Sequence, residues 1–223
     1  MRAGNAHYIK EGDIPETVAV FPLSAALLLP GGRMPLNIFE PRYLEMIDQQ
    51  LGRSRLIGMI QPRLDGALRT DGEPELCEVG CIGRITSFAE TGDGRYLVSL
   101  QGGCRFRVGE ELAVKTPFRQ CRILPFLNDL NVDAGANDVD RTALLKAFRA
   151  YLKANDLDAD WDSVSRAENA TLVNALSMMA PYGAAEKQAL LEAPDLKTRA
   201  ETLIAITEMA LARGGDDFKT GLQ

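Results

Sequence analysis

The stretch FPLSAALLLPGGRMPLNIFEPRY, residues 21–43, decides how this chain folds. It opens at the end of Thr17-Val18-Ala19-Val20-Phe21, an apolar, β-branched run that suits a buried strand. Leu27-Leu28-Leu29 then runs into Pro30-Gly31-Gly32, where glycine supplies the backbone freedom of a tight turn. Residues 33–39 alternate between apolar and polar and read as a second strand. Pro35 has no N–H to give a ladder, so that strand belongs at a sheet edge or a bulge. At residue 41 the period changes. Tyr43, Leu44, Ile47 and Leu51 share one helical stripe, Pro41 suits the first turn and Gly52 the position past the end.

The same strand-and-turn grammar continues outward. Residues 56–60 are a short apolar run, and residues 83–88 and 96–100 flank Gly92-Asp93-Gly94, whose glycines permit a tight hairpin. Residues 105–108 and 118–124 complete about six or seven strands, a meander that closes on itself to hide its edges. The β unit is therefore placed at 14–125. Residues 126–137, rich in Asn, Asp and Gly, read as a linker.

Beyond the linker the period is 3.6, and residues 138–215 read as a bundle of about four helices. Leu144, Phe148 and Leu152, joined by Leu145 and Tyr151, form one apolar face over 138–154. The next helix carries Leu172, Val173, Leu176 and Met179 and begins at a capping box, Ser165-x-x-Glu168. A short helix spans 184–191. The last starts at Asp195 and is expected to stop at Arg213-Gly214-Gly215, with a cation near the negative end of the dipole. The fold class is α+β.

Composition narrows the function. With 46% apolar and 25% charged residues in 223, the chain is an ordinary globular one, large enough to bury a core without disulfides or metal. The uncharged stretch 17–32 is too short and too broken by proline to span a membrane. The opening MRAGNAHYIKEGD has no apolar core or cleavage site of a secretory signal, so a cytoplasmic location is expected. This arm reads as frayed, and it holds the only histidine, His7, which argues against Ser-His, Cys-His and multi-histidine zinc sites. Residues 1–125 hold 15 basic and 15 acidic side chains, so the net charge of −6 lies wholly in the second part. Nucleic-acid binders carry a basic excess, and neither part has one.

Individual motifs read as structure. Cys77 and Cys81 are separated by three residues, but Cys104 and Cys121 stand alone in separate strands, so buried thiols are favoured over zinc or disulfides. No glycine pair is followed by Lys-Ser/Thr and a helix, so no phosphate loop is present. The Asp158-x-Asp160-x-Asp162 run opens like a calcium loop but lacks its glycine and closing glutamate. No cofactor or metal is expected. The Ser177-Met178-Met179-Ala180-Pro181-Tyr182 tract is the one candidate for an adaptable surface; the favoured alternative puts Met179 in the bundle core with Met178 flanking it.

Taken together, Phe21-Pro22-Leu23, Leu29-Pro30-Gly31-Gly32 and Pro35-Leu36-Asn37-Ile38-Phe39-Glu40-Pro41-Arg42-Tyr43 resemble the opening of the Lon protease N-terminal domain. Glu78-Val79-Gly80 with Gly83 and Ile85 is similar to a further strand of that family. So is Leu100-Gln101-Gly102-Gly103-Cys104-Arg105-Phe106, and Glu186-Lys187-Gln188 with Leu190-Leu191-Glu192 matches its helical end more loosely. The resemblance implies a PUA-like β pseudo-barrel with one inserted helix, followed by an α-helical bundle. It also implies a stand-alone, non-enzymatic version of the domain, since the ATPase and Ser-Lys protease modules of full-length Lon have no counterpart here. The expected function is binding of unfolded or exposed apolar polypeptide segments, preferably slightly basic ones, as an adaptor in protein quality control. Contact is expected in a shallow groove between barrel and bundle, with strand addition at a barrel edge. Met34, Leu36, Met178 and Tyr182 are the candidate contacts, chosen from composition alone. RNA binding and a small hydrolase are the rival readings.

Overall fold

The computed structural model describes residues 1–131 and 134–220, with side chains through Arg213; Val132 and Asp133, two of the residues assigned to the linker, lie outside the described residues. The chain opens with a small hairpin, β1 (Arg2–Ala3) and β2 (Ala6–His7). Then come β3 (Thr17–Pro22), β4 (Arg33–Ile38), the inserted helix α1 (Pro41–Leu51), β5 (Leu56–Pro62), β6 (Leu76–Glu90), β7 (Tyr96–Glu111) and β8 (Gln120–Pro125). Residues 96–100 and 105–108, read above as separate runs, are one long strand, β7.

Five strands close into a barrel in the order β7-β6-β5-β3-β8, with β8 returning to β7. All neighbours are antiparallel except β3 and β5, whose parallel pairing is bridged by β4 and α1. β4 stands outside the ring on the first half of β7, with Pro35 opposite Ser99, so proline sits in an edge strand as its missing N–H requires. Leu27-Leu28-Leu29 is not a strand; it is a buried extended segment held by Gly31 N–H to Gly102 O and Gly102 N–H to Gly32 O, at 3.0 and 2.8 Å. A Cβ at Gly102 would fall 2.0 Å from Leu29 O, so only glycine allows this approach.

The barrel is filled by a cluster to which all five strands contribute, including Val18, Val20, Ile60, Ile82, Cys104, Phe106 and Ile123. Phe106 lies over Gly80, where a Cβ would sit 2.5 Å from its Cζ. The opening arm helps close this cluster instead of fraying. Ala3 and Tyr8 are buried, and the Met1 amino group donates to Tyr8 O and Leu130 O, both at 2.8 Å. The outer face of the barrel is covered by α1, Leu27-Leu28-Leu29 and the helices that follow β8, in a second continuous core.

Those helices are α2 (Arg141–Ala154), α3 (Trp161–Arg166), α4 (Asn169–Met179), α5 (Ala184–Glu192) and α6 (Leu196–Thr220). There is one more than expected, because α3 occupies residues read as loop and cap. The proposed capping box is therefore not formed. Ser165 lies inside α3 and donates its hydroxyl to Asp162 O, and Glu168 precedes α4 without a side-chain cap bond. α6 also runs past Gly214-Gly215 to Thr220, since glycine weakens a helix without forbidding it.

Arg105, 3% exposed, ties barrel to bundle. It faces outward from β7, donates to both carboxylate oxygens of Asp129 at 2.8 and 2.9 Å, and reaches Leu191 O and Ala193 O at the end of α5. Gln61 of β5 adds a second tie, donating to Ala184 O and to Gln188 Oε1, each at 3.0 Å.

Candidate binding groove

The apolar face of α2 is wider than its neighbours cover. Leu144, Ala147, Phe148, Tyr151 and Leu152 turn toward α4 and α6, and α3 stands across the open side as a wall. Between them lies a groove of about 620 Å³, floored by Leu172, Leu176 and Leu203 and edged by Leu157, Val164, Met179 and Tyr182. It lies within the helical bundle, not between barrel and bundle where sequence reasoning placed it.

α3 is held by side chains on two sides. Asp160 caps its start, accepting from the N–H groups of Asp162 and Ser163 at 3.1 Å and from the Ser163 hydroxyl at 2.5 Å. These bonds, the hydroxyl's first, hold the Asp160 carboxyl below the usual carboxylate range, so it is charged at neutral pH. Arg141, from the start of α2, clamps the other end. It donates to Val164 O, Ser165 O, Ala167 O and Asn169 Oδ1 at 2.7–3.1 Å, satisfying carbonyls that a short helix leaves without partners. Trp161 packs edge-on to Phe148 with ring centroids 6.1 Å apart, and the Arg149 guanidinium lies over its ring at 4.5 Å.

Of the four candidate contacts, only Tyr182 lines the groove. Its hydroxyl lies 2.7 Å from Thr207 Oγ1, and because the Thr207 hydrogen is given to Leu203 O, tyrosine is the donor. Burial pushes the phenol pKa up, so the group is neutral and presents a fixed apolar ring. Leu36 is 9% exposed and faces the core, and Met34 is half-buried against that core. Met178 packs onto Gly32, where a Cβ would meet its Sδ at 2.2 Å, and so joins α4 to the Pro30-Gly31-Gly32 turn. The expected roles of the two methionines are reversed, with Met179 79% exposed on the groove's edge. From the sequence, Phe148 reads only as part of a packing face, and Leu157 is not singled out. The available signals were an α2 stripe too broad for a four-helix core and an apolar residue alone in the acidic run 156–162.

Reactive chemistry is sparse. The four cysteines are free and buried, and burial pushes the Cys104 thiol up to about 12 and that of Cys121 up to about 11, which suppresses the thiolate. Among the described residues no group of three or more His, Cys, Asp or Glu side chains is placed to hold a metal ion, and no helix is long and apolar enough to cross a membrane. His7 is exposed on β2.

Comparison with known proteins settles the family. Residues 17–208 match the model of the ATP-dependent protease La (LON) substrate-binding domain. The chain belongs to this family. Lon protease 2 of Myxococcus xanthus is 24% identical over 201 residues, covering 89% of this chain and 24% of the relative. Lon protease 2 of Sorangium cellulosum is 29% identical over 203 residues, covering 86% and 24%. Two solved structures share the fold. The N-terminal domain of Mycobacterium avium complex Lon protease has a TM-score of 0.62 at 18% identity, covering 86% of this chain and 98% of that one. The Lon N-terminal domain protein from Xanthomonas campestris has a TM-score of 0.54 at 24% identity, covering 85% and 97%. The α+β architecture implied by the resemblance, a PUA-like barrel with an inserted helix and a helical bundle, is thus the Lon N-terminal fold. This Lon-family chain spans about a quarter of the length of the curated relatives it matches, and the family match falls on the substrate-binding domain alone.

Proposed function

We propose that this Lon-family domain binds exposed apolar segments of unfolded or flexible polypeptides, seated in the groove between α2, α3 and α4. The observation that carries the reading is the groove itself, a space of about 620 Å³ with an almost wholly apolar lining and Met179 standing 79% exposed at its edge. A methionine so placed adapts to side chains of different shape, as a site for unrelated segments requires. Strand addition is less well supported, because the outlying strand β4 carries Pro35, which blunts it as a template. The proposal extends to a cytoplasmic adaptor role in protein quality control, without peptidase or ATPase activity of the described residues.

A segment that buries about 300 Å² of apolar surface gains roughly 7 kcal/mol before ordering costs, so micromolar or weaker binding is expected. Fluorescence anisotropy with a labelled unfolded polypeptide, its folded form and a labelled RNA hairpin tests this. Binding should be confined to the unfolded polypeptide and weakened several-fold by Met179→Gln. Tight, steeply salt-dependent binding of the hairpin would replace the polypeptide reading with an RNA-binding one. Peptide hydrolysis that persists through purification and disappears on substituting one serine or carboxylate would overturn the non-catalytic part.

A further inference from the structure

We infer that the groove selects apolar segments carrying a lysine or arginine beside the apolar anchor; this rests on the polypeptide reading just given and adds a charge preference to it. The lining contains two charged side chains, Asp158 and Asp160, and both are acidic. They occupy one edge, in the connection from α2 to α3, next to exposed Leu157 and with exposed Asp156 and Asp162 on either side. An incoming segment that sets its apolar side chain against Leu157 therefore brings its neighbours beside a row of carboxylates.

Among the described residues, no lysine or arginine forms an ion pair with that row. Asp158 accepts from the Ala159 N–H at 2.8 Å, and Asp160 from two N–H groups and the Ser163 hydroxyl, so the partners given to both by the described residues are uncharged. The arginines of the neighbouring helices make their described contacts with other groups. Arg149 lies over Trp161, Arg141 holds carbonyls and Asn169, and Arg166 donates to the Asp162 carbonyl. Lys146 and Lys153 of α2 are not part of the lining. A flanking lysine or arginine adds attraction to both carboxylates without a burial cost, because they are exposed. A flanking glutamate meets repulsion at the same place. Exposed pairs of this kind change affinity by roughly twofold to fivefold each and fade as salt rises.

The experiment uses three labelled peptides with one shared apolar core, flanked by lysine, by serine or by glutamate, titrated with the full chain at low salt and at about 1 M salt. The lysine peptide should bind about twofold to fivefold more tightly than the serine peptide, and the glutamate peptide more weakly by a similar factor. At high salt the three should converge. The variant Asp158→Asn/Asp160→Asn removes both charges while asparagine keeps a capping oxygen at the start of α3. Read as the ratio of affinities within the variant itself, the preference for lysine over serine and glutamate should be lost. Equal affinity of the parent for all three peptides would overturn the charge preference and leave the groove reading standing. No binding of any of them would overturn both. A concentration-dependent dimer in sedimentation that Met179→Glu disperses would assign the groove to a second copy of the chain and overturn the inference.

Discussion

Arg105 shows how much one side chain decides. It stands in a β-strand facing away from the barrel interior, yet it is 3% exposed and paired on two carboxylate oxygens. Its environment depends on Asp129 and on the carbonyls of Leu191 and Ala193, all distant in sequence, so no local pattern announces it. Arg105→Ala strands a buried carboxylate and those carbonyls, and should cost about 3–5 kcal/mol in urea unfolding. A loss below about 1 kcal/mol would mean that Asp129 is hydrated in solution. Glu111 answers to pH. Burial raises its pKa, but hydrogen bonds and charge from Arg119 and Arg69 outweigh burial, and the net is a lowered value. A folded pKa below the unfolded one contributes stability above the unfolded value and loses it as pH falls through the folded value. Stability measured from neutral pH downward should therefore fall less steeply below about pH 4.5 in Glu111→Gln than in the parent. Parallel curves would show that the ion pairs at Glu111 add nothing.

Among the elements, α3 is the least legible and the one on which the groove depends. The start read from the sequence is Ser165-x-x-Glu168, whereas in the structure Asp160 caps a helix that begins at Trp161. What decides between them is tertiary: Arg141 holds the carbonyls that end α3, and Trp161 packs against both Phe148 and Arg149. Arg141→Ala should speed hydrogen exchange in α3 and weaken peptide binding several-fold, while exchange in β6 and β7 stays as in the parent. Unchanged affinity would show that the wall is not part of the site. The hairpin of β6 and β7, by contrast, was legible, because Gly92-Asp93-Gly94 and the alternation around it are local signals. The division into a β unit 14–125, a connector 126–137 and a helical unit 138–215 is a proposal for limited proteolysis. Leu130 is buried and Asp129 is paired, so the first cuts should fall after Leu130, within 131–137. First cuts within 33–43 would refute the division.

For the molecule as a whole, the sequence carried the barrel better than the site. Alternation, turns and the 21–43 block are properties of neighbouring residues. The groove is a property of how α2, α4 and α6 fail to cover one another, and periodicity alone assigns such a face to a core. It is for that reason that Met179 and Phe148 were read as packing residues. One feature of the barrel bears on how the chain comes to be made. Its closing pair sets Val18 of β3 against Cys121 of β8, and the Met1 amino group reaches farther still, to Leu130 O. A ribosome delivers the first strand long before the last. Until β8 emerges, the apolar row of β3 has no neighbour on that side, and pairings this distant in sequence are slow to find. A domain proposed to receive unfinished chains is thus itself an unfinished chain, with an open strand, while the roughly one hundred residues between β3 and β8 are made.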